Sequence, residues 1–203
     1  MSGAGRRPSP SPRGRATGVH WWPGTTAVQP FNLDACLDLL ERTPRLLYHW
    51  LGGLPDTWTM HNEGPDTWSP YDVLGHLVHG ERTDWIARLE IVLSRRPDRL
   101  FPTFDRLAQF HESKGKTLAD LLSEFSHVRA DNLAKVRALR LTSTDLDRTG
   151  VHPRFGDVTA RQLLAAWAAH DLDHVMQISR VMARQIGPAV GPWVDYLRIL
   201  RQV

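Results

Sequence analysis

The sequence predicts an all-α fold, a four-helix bundle with an additional short helix at its C-terminal end. Three observations carry that prediction. Four long stretches repeat apolar residues at helical spacing, and no stretch sustains the two-residue alternation of a strand. Three of the four open on Ser or Thr with Asp or Gln three positions later, the pattern of a capping box. The Gly- and Pro-rich connections, about 20 residues at most, leave helix against helix as the means of burying the apolar stripes. Two connections exceed the usual length between bundle helices, which points to functional loops near one end.

Residues 2–18, SGAGRRPSPSPRGRATG, hold almost nothing to bury, so residues 1–30 are expected to form a disordered Arg/Pro/Ser-rich tail and 31–203 the bundle domain. The tail lacks the apolar core of a secretory signal, and its prolines oppose the amphipathic helix of a transit peptide. Trp21 and Trp22 in HWWPG are expected to be the first tethered residues. The first helix, NLDACLDLLERTPRLLYHWLGGL, places Leu33, Leu37, Leu40, Leu47 and Leu51 on one stripe. Thr43-Pro44 should kink or split it, because proline lacks the amide hydrogen and clashes with the preceding turn. The second, WSPYDVLGHLVHGERTDWIARLEIVLSRRP, starts at Ser69 with Pro70 in the first helical position and Asp72 as box partner, and Pro97 closes it. The third starts at Thr117 with Asp120, and Leu118, Leu121, Leu122, Phe125, Val128 and Leu133 supply its spacing. The fourth runs from Thr159, capped with Gln162, to about Gln185 before GP. PWVDYLRILRQV is the short final helix.

Composition narrows the function. Of 25 Lys and Arg, Arg6, Arg7, Arg13 and Arg15 lie in the tail, leaving 21 against 22 acidic residues in the folded part. The basic character belongs to the tail, and the bundle shows no basic stripe for nucleic acid. No apolar run has membrane length. Cys36 is the only cysteine, which excludes an internal disulfide and a Cys-ligated zinc site and suits a reducing, cytoplasmic setting.

The fourth helix carries the chemistry. On a helical wheel Leu163, Trp167, His170, His174, Ile178 and Val181 fall within about 80° of one another. With ten histidines in the chain an i,i+4 pair has little meaning by spacing alone. Its place in the middle of an apolar stripe is the signal, because each imidazole buried without partners costs about 1–3 kcal/mol. One metal ion would satisfy both rings. Two ligands hold a catalytic metal poorly, and GHLVHGE in the second helix offers a third. There His76 borders the core face beside small residues, Glu81 falls between Leu77 and Leu74, and His79 is expected to face solvent.

WSPYDVLGHLVHGE followed by HDLDHVMQI resembles the DinB/YfiT-like superfamily of bacterial four-helix proteins, over roughly residues 32–185. The resemblance implies that His76, His170 and His174 jointly bind a divalent metal. Zn or Ni is expected first, then Fe or Mn. It also implies a metal-dependent hydrolase, or a transferase or isomerase with a low-molecular-weight thiol as cosubstrate, acting on a small molecule. Self-association as a homodimer through apolar residues on the third helix is a further expectation. A metalloprotease is disfavoured, because Asp171 stands where the general-base Glu of His-Glu-x-x-His belongs.

Three neutral imidazoles leave the metal charge uncompensated, which would acidify a bound water or thiol. Glu81 is the leading candidate for general base or for orienting a ligand, with pairing to Arg82 or Arg88 as the alternative. Asp105, in FPTFDRLAQF, is the second catalytic candidate, with a turn-capping role as the alternative. Asp171 and Asp173 are expected to be solvated, and Trp167 to pack in the core. The competing function is a non-catalytic, stress-associated binding protein whose metal is structural or vestigial.

Overall fold

Each capping box forms. In the computed structural model, which describes residues 30–94 and 96–201, Ser69 Oγ accepts from the Asp72 amide and the Asp72 carboxylate accepts from the Ser69 amide at 2.9 Å. Thr117 with Asp120 and Thr159 with Gln162 do the same, and each box satisfies two amides at a helix start that would otherwise lack acceptors. The expected tail lies outside the described residues, apart from Pro30.

The chain runs α1 (Leu33–Leu51), α2 (Asp56–Thr59), α3 (Pro70–Thr83), α4 (Trp85–Leu93), α5 (Ala108–Glu112), α6 (Leu118–Ala138), α7 (Ser143–Leu146), strands β1 (Thr149–His152) and β2 (Gly156–Thr159), and α8 (Ala160–Val190). The bundle consists of α1, α3 with α4, α6 and α8. Helices α6 and α8 both pack on α1 and both pack on α3. The first and second bundle helices are therefore diagonal partners, unlike a simple up-and-down bundle in which consecutive helices are neighbours. No helix among the described residues is long and apolar enough to cross a membrane.

Four expectations change in detail. The first helix is unbroken through Pro44. Its missing amide hydrogen leaves the Leu40 carbonyl without an intrahelical donor, and Arg129 Nη1 of α6 donates to that oxygen at 2.7 Å. The second helix is divided at Asp84. Thr83 Oγ1 donates back to the His79 carbonyl at 2.8 Å, a bond that bends helices, and Asp84 departs from helical angles. The fourth continues past Gln185 with Pro188 inside it and ends at Gly191, whose φ is 59°. The final segment forms two 3₁₀ turns, Gly191–Asp195 and Arg198–Leu200, which fold back on α8.

The antiparallel hairpin β1–β2 was not expected. Its strands have four residues each, too short for an alternating pattern to register. Gly150 sits so close to Phe101 that a Cβ there would lie 2.3 Å from the ring. On α6, Leu121, Leu122, Phe125 and Leu133 are buried in the bundle, while Leu118 and Val128 are half-buried.

Apolar burial is divided into two clusters. One gathers Leu40, Trp85, Leu89, Leu133, Leu163 and Trp167; the other gathers Leu47, Leu74, Leu77, Leu121, Phe125 and Ile178. Along each bundle helix a polar or proline-bearing segment separates the two: Thr43-Pro44, Glu81, Arg129 and Asp171 to His174. The candidate site occupies this polar layer.

Candidate metal centre

His76 on α3 and His170 and His174 on α8 converge. His170 Nε2 lies 3.2 Å from His76 Nε2 and 3.1 Å from His174 Nε2, and the three potential ligand atoms are all within 4.8 Å of one another. His76 and His174 are buried and His170 is half-buried. A proton between two rings can serve one of these contacts at a time. A cation about 2.0–2.1 Å from each nitrogen serves all of them, and ligand nitrogens at that distance stand about 3–3.4 Å apart. The donor set fits a borderline divalent ion such as Zn or Ni.

The rings are held ready for that role. Burial pushes the pKa of His76 down to about 3 and that of His170 to about 2, with the nearby His174 and Arg106 adding to the effect. Burial lowers His174 as well, and its hydrogen bond to Gln177 works the other way. All three are therefore neutral at pH 7, the form that binds metal. Gln177 Oε1 is 2.8 Å from His174 Nδ1, so the proton belongs on Nδ1 and the Nε2 lone pair turns to the centre. Gln177→Leu is expected to weaken zinc binding about 10- to 100-fold while leaving helix content unchanged. Competition with a chromophoric chelator measures this, and an unaltered affinity would show that Gln177 does not orient the ring.

Aromatic rings enclose the cluster. Trp68 lies 4.8 Å from the His76 ring and stacks near-parallel to His174. Phe104 meets His76 edge-on, and Trp85 meets His170 at 5.2 Å. On its open side His174 lines a cleft of about 560 Å³.

Behind the histidines lies a buried ion network. Arg129 is 1% exposed and stacks over Phe125 and Trp167. It binds Asp171 through two hydrogen bonds of 2.7 and 3.0 Å and Glu81 through one of 2.8 Å. Asn132 Nδ2 donates to Glu81 Oε2, and Trp167 Nε1 donates to Glu81 Oε1 at 2.7 Å. Counting the bond to Leu40, Arg129 ties α1, α3, α6 and α8 together.

These contacts revise several expectations. Both Glu81 oxygens are engaged by Arg129, Trp167 and Asn132, and not by Arg82 or Arg88, so the carboxylate is spent in the network and is no free general base. Asp105 is exposed, and its Oδ1 accepts from the Leu107 and Ala108 amides, a side-chain turn that leads into α5. Asp171 is buried against Arg129 where solvent was expected, while Asp173 is exposed. His79 is buried too, because α5 packs on the outer side of α3, and its Nδ1 meets Glu112 at 2.9 Å. Gly75 admits that approach: a Cβ there would stand 2.5 Å from Ser113 Oγ. Trp167 is a core residue, as expected.

Gln177, Arg129 and Asn132 escaped the sequence reading. Gln177 follows His174 by three positions, where a helix brings side chains together. Leu122, Phe125, Arg129, Asn132 and Val136 form one helical stripe, so the rule that singled out His170 and His174 would have found both polar residues.

The comparisons with known proteins agree with this architecture. Among solved structures, YfiT from Bacillus subtilis superimposes with a TM-score of 0.66 over 83% of this chain and 95% of its own, at 17% identity. YfiT is a probable metal-dependent hydrolase with an unusual four-helix bundle topology. Identity that low establishes a shared fold alone. No curated protein matches the sequence significantly. The sequence model of the DinB superfamily matches residues 39–178, more than half of the chain and a span that includes all three histidines. The chain belongs to the DinB superfamily.

Proposed function

We propose that the protein is a divalent-metal-dependent hydrolase or thiol transferase acting on a small molecule, with His76, His170 and His174 as the metal ligands. One observation carries the reading: three neutral imidazole nitrogens converge beside an open cleft, with no fourth protein donor in the group among the described residues. Structural zinc sites close with four protein ligands, whereas catalytic sites keep a position open. A cation held there supplies Lewis acidity and makes a water or thiol a nucleophile near neutral pH.

The chain's own residues prepare the site. Burial keeps the imidazoles unprotonated, Gln177 fixes the His174 tautomer, and Trp68, Phe104 and Trp85 keep bulk water from the flanks. Glu81 and Asp171 are occupied by Arg129, and a metal held by the three histidines would supply the activation that a water or a low-molecular-weight thiol needs. YfiT's character as a probable metal-dependent hydrolase supports the hydrolytic branch.

Elemental analysis of wild type beside His170→Ala/His174→Ala tests the reading. The expected result is about one metal ion per wild-type chain and almost none in the variant, with helix content retained. Equal metal in both, or none in either after zinc or nickel loading, overturns it. Turnover of ester and amide substrates with and without added thiol separates the two branches. Metal that only raises stability, with no turnover, favours the structural role.

A further inference from the structure

Among the described residues, the cleft beside His174 contains one cation that makes no ion pair. Arg180 donates to Glu63 through Nε and Nη2, and Arg184 also binds Glu63, so both of these arginines are engaged by one carboxylate. Arg106 lines the same cleft and makes no ion pair among the described residues. Its guanidinium lies 5.8 Å from the centre of the Trp68 ring, the ring that faces His76 and His174. Two exposed acids, Asp66 and Asp173, also line the cleft; Asp173 lies close enough to Arg180 to reinforce its charge.

Arg106 is exposed at this cleft, and its charge works against a divalent cation at the three histidines, while Asp173 on the same cleft works in the cation's favour. An anion entering the cleft pairs with the guanidinium, and a planar carboxylate matches its fork. The Trp68 face and Leu107 offer apolar surface to the rest of such a molecule.

We infer that the cleft selects a small organic carboxylate, with Arg106 as the residue that binds its anionic group beside the metal centre. This inference rests on the metal reading above for the placement of the reacting part of the substrate. The anion-binding role of Arg106 is read separately.

Benzoate and benzamide, matched in shape and different in charge, are suitable probes. Each is titrated by calorimetry into wild type and Arg106→Gln, in zinc-loaded and in chelator-treated protein, with zinc content measured on the same samples. Benzoate should bind wild type at least about tenfold more tightly than benzamide, one charge-assisted hydrogen bond being worth that much. Arg106→Gln should remove most of the difference while zinc content and benzamide binding stay as in wild type, and Arg106→Lys should restore part of it. Equal benzoate binding by wild type and Arg106→Gln at equal zinc content overturns the inference and leaves the metal reading standing. A benzoate preference that depends on Arg106 in protein unable to hold zinc supports the anion site and removes the metal reading.

Discussion

Arg129→Met is expected to destabilise the protein by about 3–5 kcal/mol, the usual consequence of removing one partner from a buried ion pair. The methionine fills comparable space and restores none of the donors. It leaves Asp171 and one Glu81 oxygen as buried acceptors without a cation, and the Leu40 carbonyl without a donor. Glu81→Gln should cost less, since the amide still accepts from Arg129 or Trp167. Urea unfolding followed by circular dichroism measures both. A loss below about 1 kcal/mol for Arg129→Met, the range of an exposed pair, would mean that water reaches this layer.

The second large effect concerns acid. Protein stripped of metal by a chelator should lose about 4 kcal/mol of stability between pH 8 and pH 5 through His76 and His170. Unfolded, each imidazole takes a proton near pH 6.5; folded, burial holds the two at about 3 and about 2. Across that window the unfolded chain binds protons that the folded chain refuses, so falling pH favours unfolding, by about 2 kcal/mol per ring at pH 5. Well above pH 6.5 both states are neutral and the dependence vanishes. The lowered carboxylates, such as Glu41 and Glu63, act only in stronger acid. Chemical unfolding as a function of pH, on wild type and on His76→Asn/His170→Asn, isolates the two rings. A wild-type profile no steeper than the variant's would show that the cluster is hydrated.

Much of this arrangement was legible in the sequence, and the reasons differ by residue. The helix starts were readable because Ser69, Thr117 and Thr159 act on amides three residues away, which makes the signal local. His170 and His174 stood out because a polar ring on an apolar stripe needs a partner. Glu81 was correctly placed in the core, yet its partner comes from α6, and a wheel drawn on one helix cannot show what another brings. His79 was misplaced for the same reason: its face of α3 is outward within the four helices, and the five-residue α5 covers it. The hairpin left no trace because short strands depend on tertiary contacts such as Phe101 against Gly150.

The bond from Arg129 to the Leu40 carbonyl also sets how far the helices are slid along one another. Ridges and grooves repeat, so α1 displaced along α6 by about one turn, 5.4 Å, would still find complementary apolar surface. The displaced α1 would offer the guanidinium a carbonyl already bonded within its own helix. Pro44 leaves one acceptor unspent in the body of α1, and it lies opposite Arg129 in a single alignment. A proline that looks like a flaw in a helix is therefore a vernier mark, against which α6, and through Asp171 the histidine-bearing α8, are aligned.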